Sequence, residues 1–448
     1  MDRLTAVEHY LYNLQPSKIV LGLENSIRLM DALGQPHEHS PVIHIAGTNG
    51  KGSVAAMIDS ILRQSGMKVG LYTSPHLLEF NERIRINGAP ISTQELEELV
   101  NEVRQATEAH KIEATFFEFT TAVAFLHMAR QNTDLNVVEV GLGGRLDATN
   151  VCKALISIIT SIGKDHVSYL GDDLKGIAFE KASIIKSKGT VLAHVEPDEI
   201  YEIIERFAQE QSACIKRSGR DFFCQSTSWN DKGQTVEFRN NSHAYSDLEL
   251  PLMGSHQAGN AGLAIQACID WAEQTKQELL ENWVRNGLKN VSWPGRMEIV
   301  SEQPWVVLDC AHNTEGVKKL TQTLDDYYPD KKKWIIFGAL NDKPYLEMVA
   351  HLRGWADQLI LTQPDSDRSQ CPHEIMDQSG ENPEKPVQII EKTAKALEIL
   401  KNKASSDDIV CVTGSLYTVA EAKQYIDQLS KIHLPSMDSS DSSGSSVG

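Results

Sequence analysis

Short apolar runs mark the first half of the chain at 41–46, 68–73, 135–140 and 155–160. Runs of this length, bounded by Gly or polar residues, predict buried β-strands. Between them the apolar positions change to helical spacing. Val54, Met57, Ile58, Ile61 and Leu62 recur at steps that predict a helix over 53–64 with one apolar face. A second helix is predicted over 119–130. Strands alternating with helices imply a mostly parallel sheet covered by helices, whose ligands sit beyond the C-terminal strand ends. The stretch 222–250 is more irregular and polar, which predicts an antiparallel excursion. A long helix over 257–274 follows it.

The pattern breaks at Ser292-Trp293-Pro294-Gly295-Arg296, where Pro followed by Gly ends any helix. The α/β alternation then restarts: strand 305–309, helix 315–326, and strands 333–337, 358–362 and 408–413. Two α/β domains are therefore expected, an N-terminal one over 1–293 and a smaller, Rossmann-like C-terminal one over 294–434. A chain of 448 residues is too long for one ordinary core, which fits this division. The segment 435–448 is mostly Ser, Asp and Gly and is expected to be disordered.

Composition narrows the partners. The formal charge is 43 − 61 = −18. Such a chain is a poor general binder of nucleic acid and is repelled by anionic membranes, so an anionic ligand requires a locally basic site. No apolar run approaches the roughly 20 residues of a membrane span. Met1-Asp2-Arg3-Leu4-Thr5 lacks the pattern of a secretion signal. The seven cysteines are scattered, with no Cys-x-x-Cys, so no zinc site or disulfide framework is expected and a cytoplasmic location fits.

The strongest local signal is Gly47-Thr48-Asn49-Gly50-Lys51-Gly52-Ser53, between a predicted strand and a predicted helix. Small residues let backbone N–H groups turn onto phosphate oxygens, and the helix points its positive end at the same place. Lys51 supplies a cation for the outer phosphates. Gly52 separates Lys51 from Ser53, unlike the standard phosphate loop. The first domain is thus expected to be a P-loop ATPase domain. A second Gly-rich turn, Gly141 to Arg145, carries Leu146 where a dinucleotide loop needs its third Gly, so no nicotinamide or flavin site is expected.

This loop variant is similar to that of the Mur ligase superfamily, and its Gly-Ser ending to the folylpolyglutamate synthase branch. Further segments resemble the same family in order along the chain: Leu21-Gly22-Leu23-Glu24, Tyr72-Thr73-Ser74-Pro75-His76, Phe116-Phe117-Glu118 and Glu139-Val140-Gly141-Leu142 through Asn150. Asp165-His166, Glu180-Lys181-Ala182, Pro294-Gly295-Arg296, Asp309-Cys310-Ala311-His312-Asn313 and Gly414-Ser415 complete the set. The resemblance implies an ATP-dependent amide ligase. A substrate carboxylate attacks the γ-phosphate of ATP, and the amine of L-glutamate displaces phosphate from the acyl phosphate.

The resemblance also implies roles. Thr48, Asn49, Gly50, Lys51, Gly52, Ser53, Asn260, Arg296 and Asp309 would hold ATP. Two Mg2+ sites would use Ser74 and Glu139, then His166 with a carbamylated Lys181. Read alone, Glu139 is also a strand-end carboxylate reaching water, His166 a loop or capping residue, and Lys181 part of a solvated helix face. Lys164 stands where the family carries an apolar residue and adds charge near the metal site. Val20, Leu21, Gly22, Leu23, Thr115, Phe116, Phe117, Glu118, Leu146, Asp147 and Ala148 would face the pterin. Phe116 and Phe117 are equally core aromatics by themselves. Ala148 replaces the Ser or Cys of monofunctional relatives, which favours a dihydropteroate site beside the tetrahydrofolate polyglutamate activity. His312 would join Lys51 and Lys181 in catalysis, and His312, Asn313 and Ser415 would handle glutamate. Cys310 has no acid partner or nucleophile turn and is not expected to react. A monomer is expected. The rival functions are a P-loop phosphotransferase, a monofunctional synthase and a nucleotide-regulated binding protein.

Overall fold

The computed structural model describes residues 6–14, 22–380 and 387–432. The strands are β1 Val42–Ala46, β2 Val69–Tyr72, β3 Ile84–Ile86, β4 Ala89–Pro90, β5 Leu135–Glu139, β6 Ala154–Ile159, β7 Thr190–Ala193 and β8 Cys214–Arg217. They form one sheet in the order β4-β3-β2-β5-β1-β6-β7-β8, parallel from β2 to β8 with β3 and β4 turned back along one edge. Buried on both faces, β1 and β5 read as the continuous apolar runs seen in the sequence. Strand β1 lies at the sheet's centre, so the loop leaving its C-terminal end opens in the middle of the molecule's first layer.

The helix predicted over 53–64 runs Lys51–Arg63 and the one predicted over 257–274 runs Ser255–Thr275. Their apolar faces share one core with β1, β5 and β6, including Met57, Ile58, Ile61, Leu263 and Trp271. Each such side chain contributes roughly 1.5–3 kcal/mol by leaving water. The antiparallel excursion is a three-stranded sheet of β9 Phe222–Asn230, β10 Gly233–Asn240 and β11 Ala244–Leu250, laid on the outer face of the long helix. From its far end Trp229 stacks on Tyr327 at 6.0 Å and donates to Asp326 O at 3.1 Å, which ties it to the second α/β unit.

That unit holds β12 Glu298–Glu302, β13 Trp305–Leu308, β14 Lys333–Phe337, β15 Gln358–Leu361, β16 Val387–Ile389 and β17 Ile409–Thr413. The order is β12-β13-β17-β14-β15-β16, parallel except for β12. The sequence placed the restart near Trp305. The structure adds β12 directly after the Pro-Gly break, because Glu298 to Glu302 pairs back on β13 as an edge. Apolar clusters cover both faces of this sheet. The fold is mixed α/β throughout, as the alternation predicts. The expected disordered stretch 435–448 and the pterin candidates Val20 and Leu21 lie outside the described residues.

Candidate active site

The phosphate loop is fixed from the strand beside it. Thr48 Oγ1 accepts from Gly163 N and donates to Gly163 O, both at 2.9 Å. Asn49 N donates to Ser161 Oγ at 2.9 Å, and Thr160 Oγ1 donates to Asn49 O at 2.7 Å. Gly50 has φ +90°, and a Cβ there would stand 2.7 Å from Asn260 Oδ1. Gly is required on both grounds. A Cβ on Gly52 would stand 2.8 Å from the Trp293 ring. The extra Gly between Lys51 and Ser53 therefore makes room for an indole from the interdomain break.

Two lysines converge on one carbonyl of the loop. Lys51 Nζ donates to Gly47 O at 3.0 Å and to Thr48 O at 3.2 Å. Lys181 Nζ donates to the same Gly47 O at 3.0 Å. Lys181 is only 4% exposed, so it does not lie on a solvated face. Burial first, then the Lys51 charge, lowers its pKa to about 7. Glu139, at the end of β5, accepts from Ser74 N at 3.1 Å. Burial raises its pKa, opposed chiefly by Lys51. His166 has φ +51° in the turn after β6. Burial, then the Lys343 ammonium, lowers its pKa to about 4, which leaves a neutral imidazole at pH 7. Lys164, two residues before His166, is exposed.

The second α/β unit closes the cleft. Arg296 Nη1 donates to Gly295 O at 3.0 Å. Asp309 accepts from Met297 N at 3.0 Å and Ala311 N at 2.9 Å. The Thr48–Ser53 loop residues, Ser74, Glu139, His166, Lys181, Asn260, Arg296, Asp309 and His312 all line one cleft. Lys319 and His256 line it too. The basic site that an acidic chain needs is thus built from both units.

Asp165 anchors the closure. It meets Lys343 Nζ at 2.5 Å, His312 Nε2 at 3.1 Å and Asn313 Nδ2 at 3.4 Å, all from the second unit. Burial pushes its carboxyl up, but the His312 hydrogen bond, the His312 charge and Lys343 outweigh this and hold it far below the usual range. His312 Nδ1 lies 2.9 Å from Cys310 O, so both ring nitrogens face acceptors. Asn313 also donates to Asn49 Oδ1 at 3.0 Å and caps the helix Thr314–Tyr327. The Cys310 thiol is buried and pushed up to about 11, in keeping with its predicted inertness.

Other predicted residues lie apart from this lining. Ser415 is buried and bonds Thr418 Oγ1 at 2.7 Å, capping the helix Leu416–Ile432. Thr115 and Glu118 form a reciprocal capping box on the helix Phe116–Arg130. Phe116 stacks on Tyr12 and Phe117 lies against Tyr72. Asp147 accepts from Leu142 N at 2.8 Å and Thr149 N at 3.0 Å, bracing the second Gly-rich turn. Leu146 is half-buried and Ala148 buried beside it. Gly22 has open space around it, and Leu23 precedes the helix Glu24–Ala32.

Comparison with known proteins supplies the context. Residues 45–268 match the Mur ligase middle domain, and 295–416 match the Mur ligase glutamate ligase domain. The dihydrofolate synthase/folylpolyglutamate synthase of Bacillus subtilis is 36% identical over 415 residues, covering 90% of this chain and 94% of that protein. The chain belongs to the dihydrofolate synthase/folylpolyglutamate synthase family of Mur ligases. Escherichia coli FolC in complex with DHPP and ADP superposes with a TM-score of 0.85 at 31% identity, covering 95% of this chain and 99% of that one. The Mycobacterium tuberculosis folylpolyglutamate synthase with ADP and AMPPCP also scores 0.85, at 33% identity over 94% and 97%.

Within this synthase family member, the sequence reading passed over Asp165 as a charge, Lys343, Lys319 and His256. Lys343 was findable: Asn341-Asp342-Lys343 follows β14, where parallel sheets place ligands. Among the described residues, no cluster of three His, Cys, Asp or Glu stands ready for a metal. The buried Glu139 carboxylate and the neutral His166 imidazole fit a hard cation once another oxygen donor is added. Among the described residues no helix is long and apolar enough to cross a membrane.

Proposed function

We propose that this chain adds L-glutamate to dihydropteroate and to the glutamate chain of tetrahydrofolate, using ATP and an acyl phosphate. The observation that carries this reading is the cleft that gathers the phosphate loop, Lys51, Lys181 and Glu139 with Arg296, Asp309 and His312. In this reading residues 1–293 form the ATP-binding domain and 294–434 the domain that closes on it. The enzyme acts as a cytoplasmic monomer.

The nucleotide phosphates lie on Thr48 to Ser53, with Lys51 at the outer phosphates and Asn260, Arg296 and Asp309 holding the nucleotide across the cleft. Ser74 with Glu139, and His166 with carbamylated Lys181, would hold two Mg2+ ions, which would supply further neutralisation of the phosphates. Fixing the acceptor carboxylate in line with the γ-phosphate is the main task, since little covalent work falls to the protein. His312, steadied by Asp165, faces the charge that develops as the glutamate amine displaces phosphate. Asn313 places it by joining Asn49 across the domains. Gly22, Leu23, Thr115 to Glu118 and Leu146 to Ala148 frame the pterin. Ser415 positions the glutamate-binding turn through its cap.

The test is ADP release with dihydropteroate and with tetrahydrofolate, each with and without L-glutamate. Both acceptors should release ADP in a glutamate-dependent way, since Ala148, small and buried, stands where monofunctional relatives carry a larger residue. ADP release that ignores the amine would instead identify a phosphotransferase. Extension of tetrahydrofolate alone would leave a monofunctional synthase.

Arg296 carries a separate prediction. It directly follows Gly295, whose φ is +72°, and lies beside the buried Asp309. Arg296→Ala should raise the KM for ATP by about 10- to 100-fold, the scale of a lost charge-assisted contact, while the protein stays folded. Unchanged ATP dependence in steady-state kinetics would remove Arg296 from the nucleotide site.

A further inference from the structure

Arg83 ends the short turn Phe80–Arg83, and its carbonyl accepts from Thr73 N at 3.0 Å, next to Ser74. The residue is 8% exposed. Its guanidinium lies over the Phe80 and Phe116 rings, 5.5 and 5.3 Å from their centroids. Its Nε donates to His76 Nδ1 at 2.8 Å, and His76 Nε2 meets Tyr12 Oη at 3.3 Å. Every one of these neighbours is uncharged. The adjacent Glu82 carboxylate already accepts from the N–H groups of Leu77, Leu78 and Glu79. Among the described residues no carboxylate stands within ion-pair reach of Arg83. A buried cation without an anion is costly, and the planar fork of a guanidinium fits a carboxylate through two parallel bonds.

We propose that Arg83 pairs with the carboxylate of the acceptor substrate and presents it to the phosphate loop. This rests on the reading of the chain as a pterin-dependent amide ligase. Three placements support it. Beside Tyr72 and Tyr12 of its own wall, Glu139 of the cleft and Tyr417 of the second domain also act on the Arg83 charge. Phe116 and Phe117 stand in the same wall, so a flat ring system and an anionic end have adjoining surfaces. The nucleotide phosphates are the competing anion, but Arg83 is absent from the lining of the loop cleft, where Lys51, Arg296 and Lys319 already stand.

The test compares dihydropteroate with its carboxamide, bound to the full chain in the presence of a non-transferring ATP analogue. The unaltered protein should prefer the carboxylate by about 10- to 100-fold, the worth of one charge-assisted pair. Arg83→Gln should cut that preference to about threefold or less while the carboxamide and the nucleotide bind as before. Arg83→Lys keeps the charge without the fork and should give an intermediate preference, which also serves if the glutamine variant fails to fold. A role in packing alone would weaken both ligands equally and leave the preference intact, which overturns the assignment. A fall in nucleotide affinity with the preference intact overturns it too, in favour of a phosphate contact. If the unaltered chain binds neither probe, the pterin reading fails, and this assignment with it.

Discussion

Replacing Lys51 by alanine should lower turnover by about 100- to 10,000-fold and shift stability by no more than about 1 kcal/mol. The ammonium stands at the first turn of the helix Lys51–Arg63 and rests on Gly47 O and Thr48 O. Those bonds are to two carbonyls of a loop that Thr160, Ser161 and Gly163 hold independently. The loop therefore keeps its shape without the lysine. What is lost is the mobile cation facing the outer phosphates, whose charge shifts most in the transition state. Single-turnover kinetics and a thermal melt on the same preparation check both halves. Near-normal turnover would remove the phosphate-loop argument, and a collapse in melting temperature would make Lys51 a structural residue. A second effect follows from the shared carbonyl. The Lys51 charge helps to depress the Lys181 pKa, so its removal should also reduce the neutral amine fraction at Lys181.

Lys181→Ala should abolish most activity, by about 100-fold or more, with partial recovery when small carboxylates are added. The lysine is buried against Gly47 O beside Lys51, where two like charges oppose each other. A carbamate forms from a neutral amine and CO2, and it replaces the cation with an oxygen-bearing anion suited to magnesium. With a pKa near 7, about half of the amine is neutral at neutral pH, whereas an ordinary lysine is almost wholly protonated there. The sign follows. After depletion of bicarbonate, recovery of activity at fixed dissolved CO2 should speed up as pH rises through about 7 and level off above it. Below that pH the proton stays on the amine and recovery slows. Intact-protein mass under mild conditions should show one added CO2 at Lys181. Full activity in bicarbonate-free buffer, with an unmodified lysine, would refute the carbamate.

Both effects centre on a motif that was legible without coordinates, and the reason is local. A phosphate loop is a strand, a run of small residues and a helix in immediate succession, so backbone preference and spacing describe it fully. The same holds for β1, β5, the helix Lys51–Arg63 and the break at Pro294-Gly295. Thr115 to Glu118 carries a local signal of the same kind, a Thr followed three residues later by Glu ahead of an apolar run, and the fold turns it into a capping box. Helical phase explains why Phe116 and Phe117, consecutive on the first turn, take different neighbours.

What the chain order hides is the meeting of distant charges. Lys343 and Asp165 are 178 residues apart, and His312 and Asp165 are 147 apart. Nothing in the periodicity near either residue marks it as a partner of the other. Lys181 reads in sequence as part of a solvated helix face, and only the approach of the phosphate loop shows that it is buried. Ser415, named by its motif, is committed by the fold to a helix cap. Sequence thus determined the central strands, the helices beside the phosphate loop, the α/β class and the loop itself, because each is encoded by neighbours along the chain. The tertiary structure decided which side chains are desolvated and which charges are paired. Burial and Coulomb interaction depend on distance in space, and the fold alone sets that distance.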